Sequence, residues 1–167
     1  MARTVAFLTP GAAETKTTTF PAPGRSSDAS GARPYLAFDA AADEAAYWTI
    51  ATPQGFTSPF TAVISYAAAS ATSNAVVFDV AVEAITSGDG SPDTDAAESL
   101  DTVNTASADT VPGTAGLLKQ VSVTLTNSDS AAAADLTRIR LRRVGSSGSD
   151  TATGDIFVFG VEIRDAT

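Results

Sequence analysis

The sequence predicts an all-β fold: an antiparallel two-sheet sandwich, jelly-roll-like, led by an extended N-terminal arm. Three observations carry that expectation. Val, Ile, Leu and Phe come in bursts of roughly four to eight residues separated by Gly, Pro, Ser, Thr and Asp, the rhythm of strands and turns. From Phe60 onward apolar and polar residues alternate with period two, as in antiparallel sheets with one face on a core and one in water. No stretch reads as a helix longer than about two turns, so roughly seven or eight strands must close on each other as two layers.

Residues 1–33 form the arm and residues 34–167 the sandwich domain. Thr9 to Pro34 shows no apolar periodicity, and Pro and Gly interrupt any attempt at one. Such a segment is extended, and at ~3.3 Å per residue it can reach on the order of 80 Å. Ahead of it, Val5–Leu8 is an apolar tip able to add as a strand to another sheet. Phe20, between threonines and Pro21, is a second anchor. The arm carries Arg3, Lys16, Arg25 and Arg33 against two acids. Val5, Phe7, Leu8, Phe20, Arg25 and Arg33 are therefore the candidate partner-binding residues.

In the body, Tyr35–Phe38 reads as a strand. The Ala/acid run from Asp39 to Ala46 suits one helical turn, and Tyr47–Ile50 favours a strand. Phe60–Tyr66 points Phe60, Ala62, Ile64 and Tyr66 one way. Val76–Ile85 sets Val76, Phe78, Val80 and Val82 against Asp79 and Glu83. Gln120–Thr126 sends Val121, Val123 and Leu125 inward. Thr137–Val144 sends Ile139 and Leu141 inward and Arg138, Arg140 and Arg142 outward. In Asp155–Arg164, Phe157, Phe159, Val161 and Ile163 are expected inside, with Glu162 and Arg164 outside.

Composition removes several chemistries. There is no cysteine, hence no disulfide or thiolate, and no histidine, hence no Ser-His-Asp or Cys-His machinery and no histidine-bound zinc. The net charge is −9, and from Pro34 to Leu118 there are eleven acids and no Lys or Arg, the opposite of a nucleic-acid surface. No stretch approaches the ~20 apolar residues of a membrane span. The apolar run at the N-terminus is short for a signal peptide, so synthesis in the cytoplasm is expected.

Three stretches invite a chemical reading. Gly88-Asp89-Gly90-Ser91-Pro92-Asp93-Thr94-Asp95, with Glu98 and Asp101, offers oxygen ligands for calcium, but not at calcium-loop spacing, and a solvated acidic loop is favoured. Asp79 and Glu83, four residues apart along one strand face (~13 Å), are too far apart for a glycosidase pair. The arginine stripe can bind a carboxylate-rich partner or pair internally with Asp79, Glu83 or Glu162; internal pairing is favoured. Tyr47, Trp48, Phe56 and Phe60 can be a sugar platform or the closed end of the core, and the core reading is favoured. No phosphate loop or nucleophile elbow occurs, so no enzyme activity, metal or cofactor is expected.

The run from Pro34 to Ile50, PYLAFDAAADEAAYWTI, resembles small virion proteins of tailed bacteriophages. So do SATSNAVVFDVAV from Ser70, PGTAGLLK from Pro112, VSVTLT from Val121, RLRR from Arg140 and DTATGD from Asp150. The resemblance spans about residues 34–164 and brings no site residues with it. It implies a jelly-roll-like capsid decoration (cement) protein or a fibre module. The expected function is then a virion structural protein, a homotrimer bound to the major capsid protein or another virion protein, with its arm reaching over the shell or a sister subunit. Neither nucleic acid nor membrane is expected as a partner. The alternative is a fibre, receptor-binding or carbohydrate-binding β-sandwich module.

Overall fold

The structure is a computed structural model that describes residues 2–27, 31–70, 73–88 and 98–166. Its strands are β1 (Thr4–Leu8), β2 (Ala22–Arg25), β3 (Pro34–Phe38), β4 (Asp43–Ala51), β5 (Phe60–Ala68), β6 (Ala75–Val76), β7 (Phe78–Ile85), β8 (Asn104–Thr105), β9 (Asp109–Thr110), β10 (Lys119–Leu125), β11 (Leu136–Val144) and β12 (Ile156–Arg164). Among the described residues the one helical element is a 3-10 turn, Pro10–Ala12.

Two antiparallel sheets make the sandwich. The first runs β10-β5-β12-β3-β2, with β1 also on β12; the second runs β4-β11-β7-β8. Setting aside β1, β2 and the short β6-β9 pair, the chain changes layer at every step except β7 to β8, as it does in a jelly roll. The four-strand rows β3-β12-β5-β10 and β4-β11-β7-β8 interleave as two Greek keys. Period-two alternation explains why these segments pair: on β5, Phe60, Ala62, Ile64 and Tyr66 are all fully buried. They meet Phe78, Val80 and Val82 of β7 and Ile139 and Leu141 of β11 in a continuous core. Each such large side chain contributes about 1.5–3 kcal/mol through burial. Tyr66 and Phe38 both present edges or faces to Phe78, at 5.6 and 6.4 Å between ring centroids.

The leading segment is extended, but it lies on its own sandwich. β1 pairs with β12 from Thr4↔Arg164 to Leu8↔Val161, on the same side of β12 that β3 occupies further along. Leu8 is buried in the core, and the Arg3 guanidinium is fixed by Asp165 at 2.6 Å and the Gly55 carbonyl at 2.7 Å. The chain then crosses to the other layer. Trp48 Nε1 donates to the Thr9 carbonyl at 2.9 Å, and Glu14 bridges to Tyr47 on β4, the edge of the second sheet. It returns as β2, which pairs with β3. The apolar tip does add as a strand, to its own sheet, because that satisfies an edge of β12 and buries Leu8 within one chain. β1 and β2 thereby become the outer strands of the first sheet on this side, and one bridge ties the leader to β4.

Three further expectations change. Residues 40–42 form a bend, and Asp43–Ala46 is already strand, paired with Leu141–Val144, so there is no helical turn. β7 is buried on both faces: Asp79 is 1% and Glu83 4% exposed, although both were expected to face solvent. Arg142 covers Asp79, its Nη2 2.5 Å from the carboxylate, and Ser99 N donates to Glu83 at 2.6 Å. In β12 the register shifts between Val158 and Gly160, a bulge that inserts one residue and reverses the alternation. Ile156 and Val158 point inward before it and Val161 and Ile163 after it, so Phe157 and Phe159 stand on the outer face.

Arg143, beside the arginine stripe, is fully buried, and all five of its N–H groups are used. Two reach Asp150, at 3.1 and 2.8 Å, and the others reach the carbonyls of Phe38, Gly154 and Ala152. Asp150 also accepts from Val77 N at 3.0 Å. The planar five-donor fork suits this site, which ties the β11–β12 connection to both layers.

Candidate functional site

The bulge in β12 builds the most distinctive surface of the molecule. Phe157 and Phe159 turn outward, and Tyr35 of β3 stacks on Phe157 at 4.0 Å and meets Phe159 edge-on at 6.0 Å. Tyr35 leans over Gly24 of β2, where a β-carbon would run into its ring. On β1, Phe7 lies against Gly160, at whose position a β-carbon would come within 2.6 Å of the ring. Phe7 is still 57% exposed. The two glycines are therefore places where rings settle onto the sheet.

These rings floor a groove of about 970 Å³ on the outer face of the first sheet. One wall holds Leu118, 64% exposed, in a turn pinned by Gly116 N donating to the Ala68 carbonyl at 2.9 Å. Gly116 has φ +78°, a left-handed conformation that favours glycine. The opposite wall is formed by Arg25–Ser27 and by Arg33 and Pro34, where Ser26 N donates to the Arg33 carbonyl and Arg33 N to Ser26 Oγ. Arg25, Arg33 and Ser65 supply polar groups, and no carboxylate is among the lining residues.

The two groove arginines differ electrostatically from all other cations of the chain. Arg3, Lys16, Lys119, Arg138, Arg140, Arg142, Arg143 and Arg164 each sit in an ion pair with Asp or Glu. Arg25 and Arg33 are exposed and have no ion pair among the described residues. The arginine stripe of β11 is spent internally: Arg142 on Asp79 and Asp43, Arg140 on Asp79, Arg138 on Glu14 and Glu98. Glu162 pairs instead with Arg164 and Thr4, which hold its carboxyl below the usual range.

Of the residues singled out in the sequence, Phe7, Arg25 and Arg33 meet in this groove. Val5 packs partly against the core, Leu8 is inside it, and Phe20, 38% exposed, is not a lining residue. Tyr35, Phe157 and Phe159 were missed as surface residues; their signal is the glycine closing Phe157-Val-Phe159-Gly160, a bulge marker inside an alternating strand. Tyr47, Trp48 and Phe60 are buried and Phe56 stacks on Phe60 at 4.1 Å, so this group closes the core. Of the acidic loop, residues 89–97 lie outside the described residues; Glu98 pairs with Lys16, and Asp101 accepts from Asp129 N. No group of three metal-binding side chains occurs among the described residues.

A second polar cluster lies at the far edge of the first sheet. Tyr66 donates from its buried hydroxyl to Asp109 at 2.5 Å, and Lys119 pairs with the same carboxylate at 2.7 Å. Burial, then the hydrogen bond to Asp109, pushes the Tyr66 phenol well above its ordinary value, so it stays protonated.

No protein-family model matches the chain, and no curated protein does. Among solved structures, a xylan-binding module aligns over 100% of this chain and 96% of its own, with 15% identity and a TM-score of 0.48. A structure described as a carbohydrate esterase from the Shiga toxin-encoding bacteriophage phi24B aligns over 100% of both chains, with 13% identity and a TM-score of 0.41. Neither likeness is close enough to bring a ligand or an activity with it; this chain's own geometry makes it an antiparallel two-sheet β-sandwich.

Proposed function

We propose that this protein is a carbohydrate-binding β-sandwich module, of fibre or receptor-binding type, which holds a polysaccharide chain along the groove of the first sheet. The observation that carries the reading is the outward aromatic floor: Phe7, Tyr35, Phe157 and Phe159, gathered on one open face. Pyranose rings carry apolar C–H faces and polar edges. An open trough with ring faces below and guanidinium and hydroxyl groups at its rims matches both, whereas a compact metabolite calls for a more enclosed cavity. Binding of this kind needs no bond to be made or broken.

Affinity electrophoresis and calorimetry against a polysaccharide panel test this. Phe7→Ala and Phe157→Ala should each weaken binding about tenfold, the equivalent of roughly 1.4 kcal/mol, with the melting temperature of Phe7→Ala nearly unchanged. Trp48 is buried, so its fluorescence is not the readout. If no polysaccharide binds, or both variants bind as the parent does, the reading is wrong.

A second reading is a tailed-phage virion structural role, as a homotrimeric decoration protein on the major capsid protein. It draws on Leu117 and Leu118, 54% and 64% exposed, beside Phe7 and the two free arginines, an aromatic, aliphatic and Arg composition found in protein interfaces. With the leader laid on its own sheet, attachment would run through this face. Loss of shell binding in Leu117→Ser, a residue that does not line the groove, is the outcome that would favour it.

A further inference from the structure

We infer that the groove selects polysaccharides bearing anionic groups, with Arg25 and Arg33 as the charge-reading pair. This rests on the carbohydrate reading above and adds its ligand class. The molecule carries a net charge of −9, and a surface chosen only for solubility would use its scarce cations on its own acids. That is what the chain does elsewhere: eight Lys and Arg residues have a carboxylate within ion-pair distance. The two exceptions lie at the adjoining ends of β2 and β3, one step apart in register (Arg25 opposite Pro34, Arg33 opposite Ser26); both are exposed and both are lining residues of the groove with the outward rings. No acidic side chain is among the described residues that line the groove.

A guanidinium presents two parallel N–H donors that match a carboxylate or sulfate, and it is more weakly hydrated than an ammonium, so less water must be removed on contact. Elsewhere the acidic body disfavours a polyanion, which confines it to this trough. The flat rings add a requirement that charge alone does not: the anion must hang on a chain with apolar faces. An acidic saccharide such as a uronate polymer meets both conditions, and an acidic peptide meets only the first.

The test uses the full chain and four probes: polygalacturonate, a sulfated glycosaminoglycan, neutral galactan and poly-glutamate. Expected are tighter binding to one or both acidic glycans than to galactan, weakening as salt rises, and a loss of tenfold or more in Arg25→Gln/Arg33→Gln. That variant should lose several-fold more affinity for the acidic glycans than for galactan. Whether carboxylate or sulfate is preferred separates the two anion sources. Because neither side chain is buried or ion-paired in the described structure, the double variant should keep the parental melting temperature, so that loss of binding is not unfolding. Equal binding of acidic and neutral glycans, unaffected by the double variant, would overturn the charge-reading pair and leave the carbohydrate reading standing. Poly-glutamate binding as tightly as the acidic glycans would also overturn it, since charge alone would then suffice. Absence of binding to every glycan would remove both.

Discussion

Arg143 shows how much of this fold depends on a single charged side chain buried inside it. Replacing it by alanine leaves Asp150 charged and buried and three carbonyls without donors, so Arg143→Ala should cost about 3–5 kcal/mol in urea denaturation. Arg143→Lys should remain destabilising, because an ammonium cannot reproduce the fork. Tyr66 makes a pH-dependent contribution. Its phenol ionises less readily folded than unfolded, so this contribution is intact below the ordinary tyrosine pKa of 10.0 and is lost as pH climbs above it toward the raised folded value. Thermal melts between pH 9 and 11.5 should show that decline, with a shallower slope in Tyr66→Phe (pH values about one unit either side of the ordinary pKa). At this scale the sequence was legible where a residue's neighbours along one strand decide its fate, as for Ile139 and Leu141. It was not legible for Asp79 and Glu83, whose burial depends on what covers them from distant segments.

Among the elements, β12 is the instructive case. Strict alternation places Phe157, Phe159, Val161 and Ile163 on one face, yet one inserted residue at the bulge sends the first two to the other. Hydrophobic period locates a strand but not a change of phase within it, and only Gly160 hinted at one. Gly160 also leaves room for Phe7, so Gly160→Ala should cost about 1–3 kcal/mol through forced movement of the ring and of the Leu8 carbonyl. The same variant should weaken glycan retardation in gels, because the displaced ring belongs to the groove floor. β1 was read correctly as an adding strand and wrongly as to its target; a pairing partner about 155 residues away leaves no local mark. Removing residues 2–9 frees one edge of the second half of β12, which stays paired with β5, and takes Leu8 from the core. A drop of about 2–5 kcal/mol in unfolding free energy is expected, and full parental stability of the truncated chain would contradict the docking described here.

For the molecule as a whole, the two-layer class was readable because alternation, turn residues and the absence of long helical patterns all agree. The eight main strands then change layer at every step except β7 to β8. The candidate binding face was not readable. It is assembled from β1, β2, β3, β5, β12 and the turn at 116–118, with more than half of its lining drawn from residues before Leu36. The N-terminal stretch that looks like a tether in one dimension is architecture in three.

That shared construction has a thermodynamic corollary. A saccharide held against Phe7, Arg25 and Arg33 binds only molecules whose leader is seated, so it must bias the seating equilibrium by RT ln(1 + [L]/Kd), about 2.7 kcal/mol at a hundredfold excess over Kd. Occupancy should then be visible far from any sugar assay, as slower trimming of the first thirty-odd residues by a protease and slower deuterium uptake along β1.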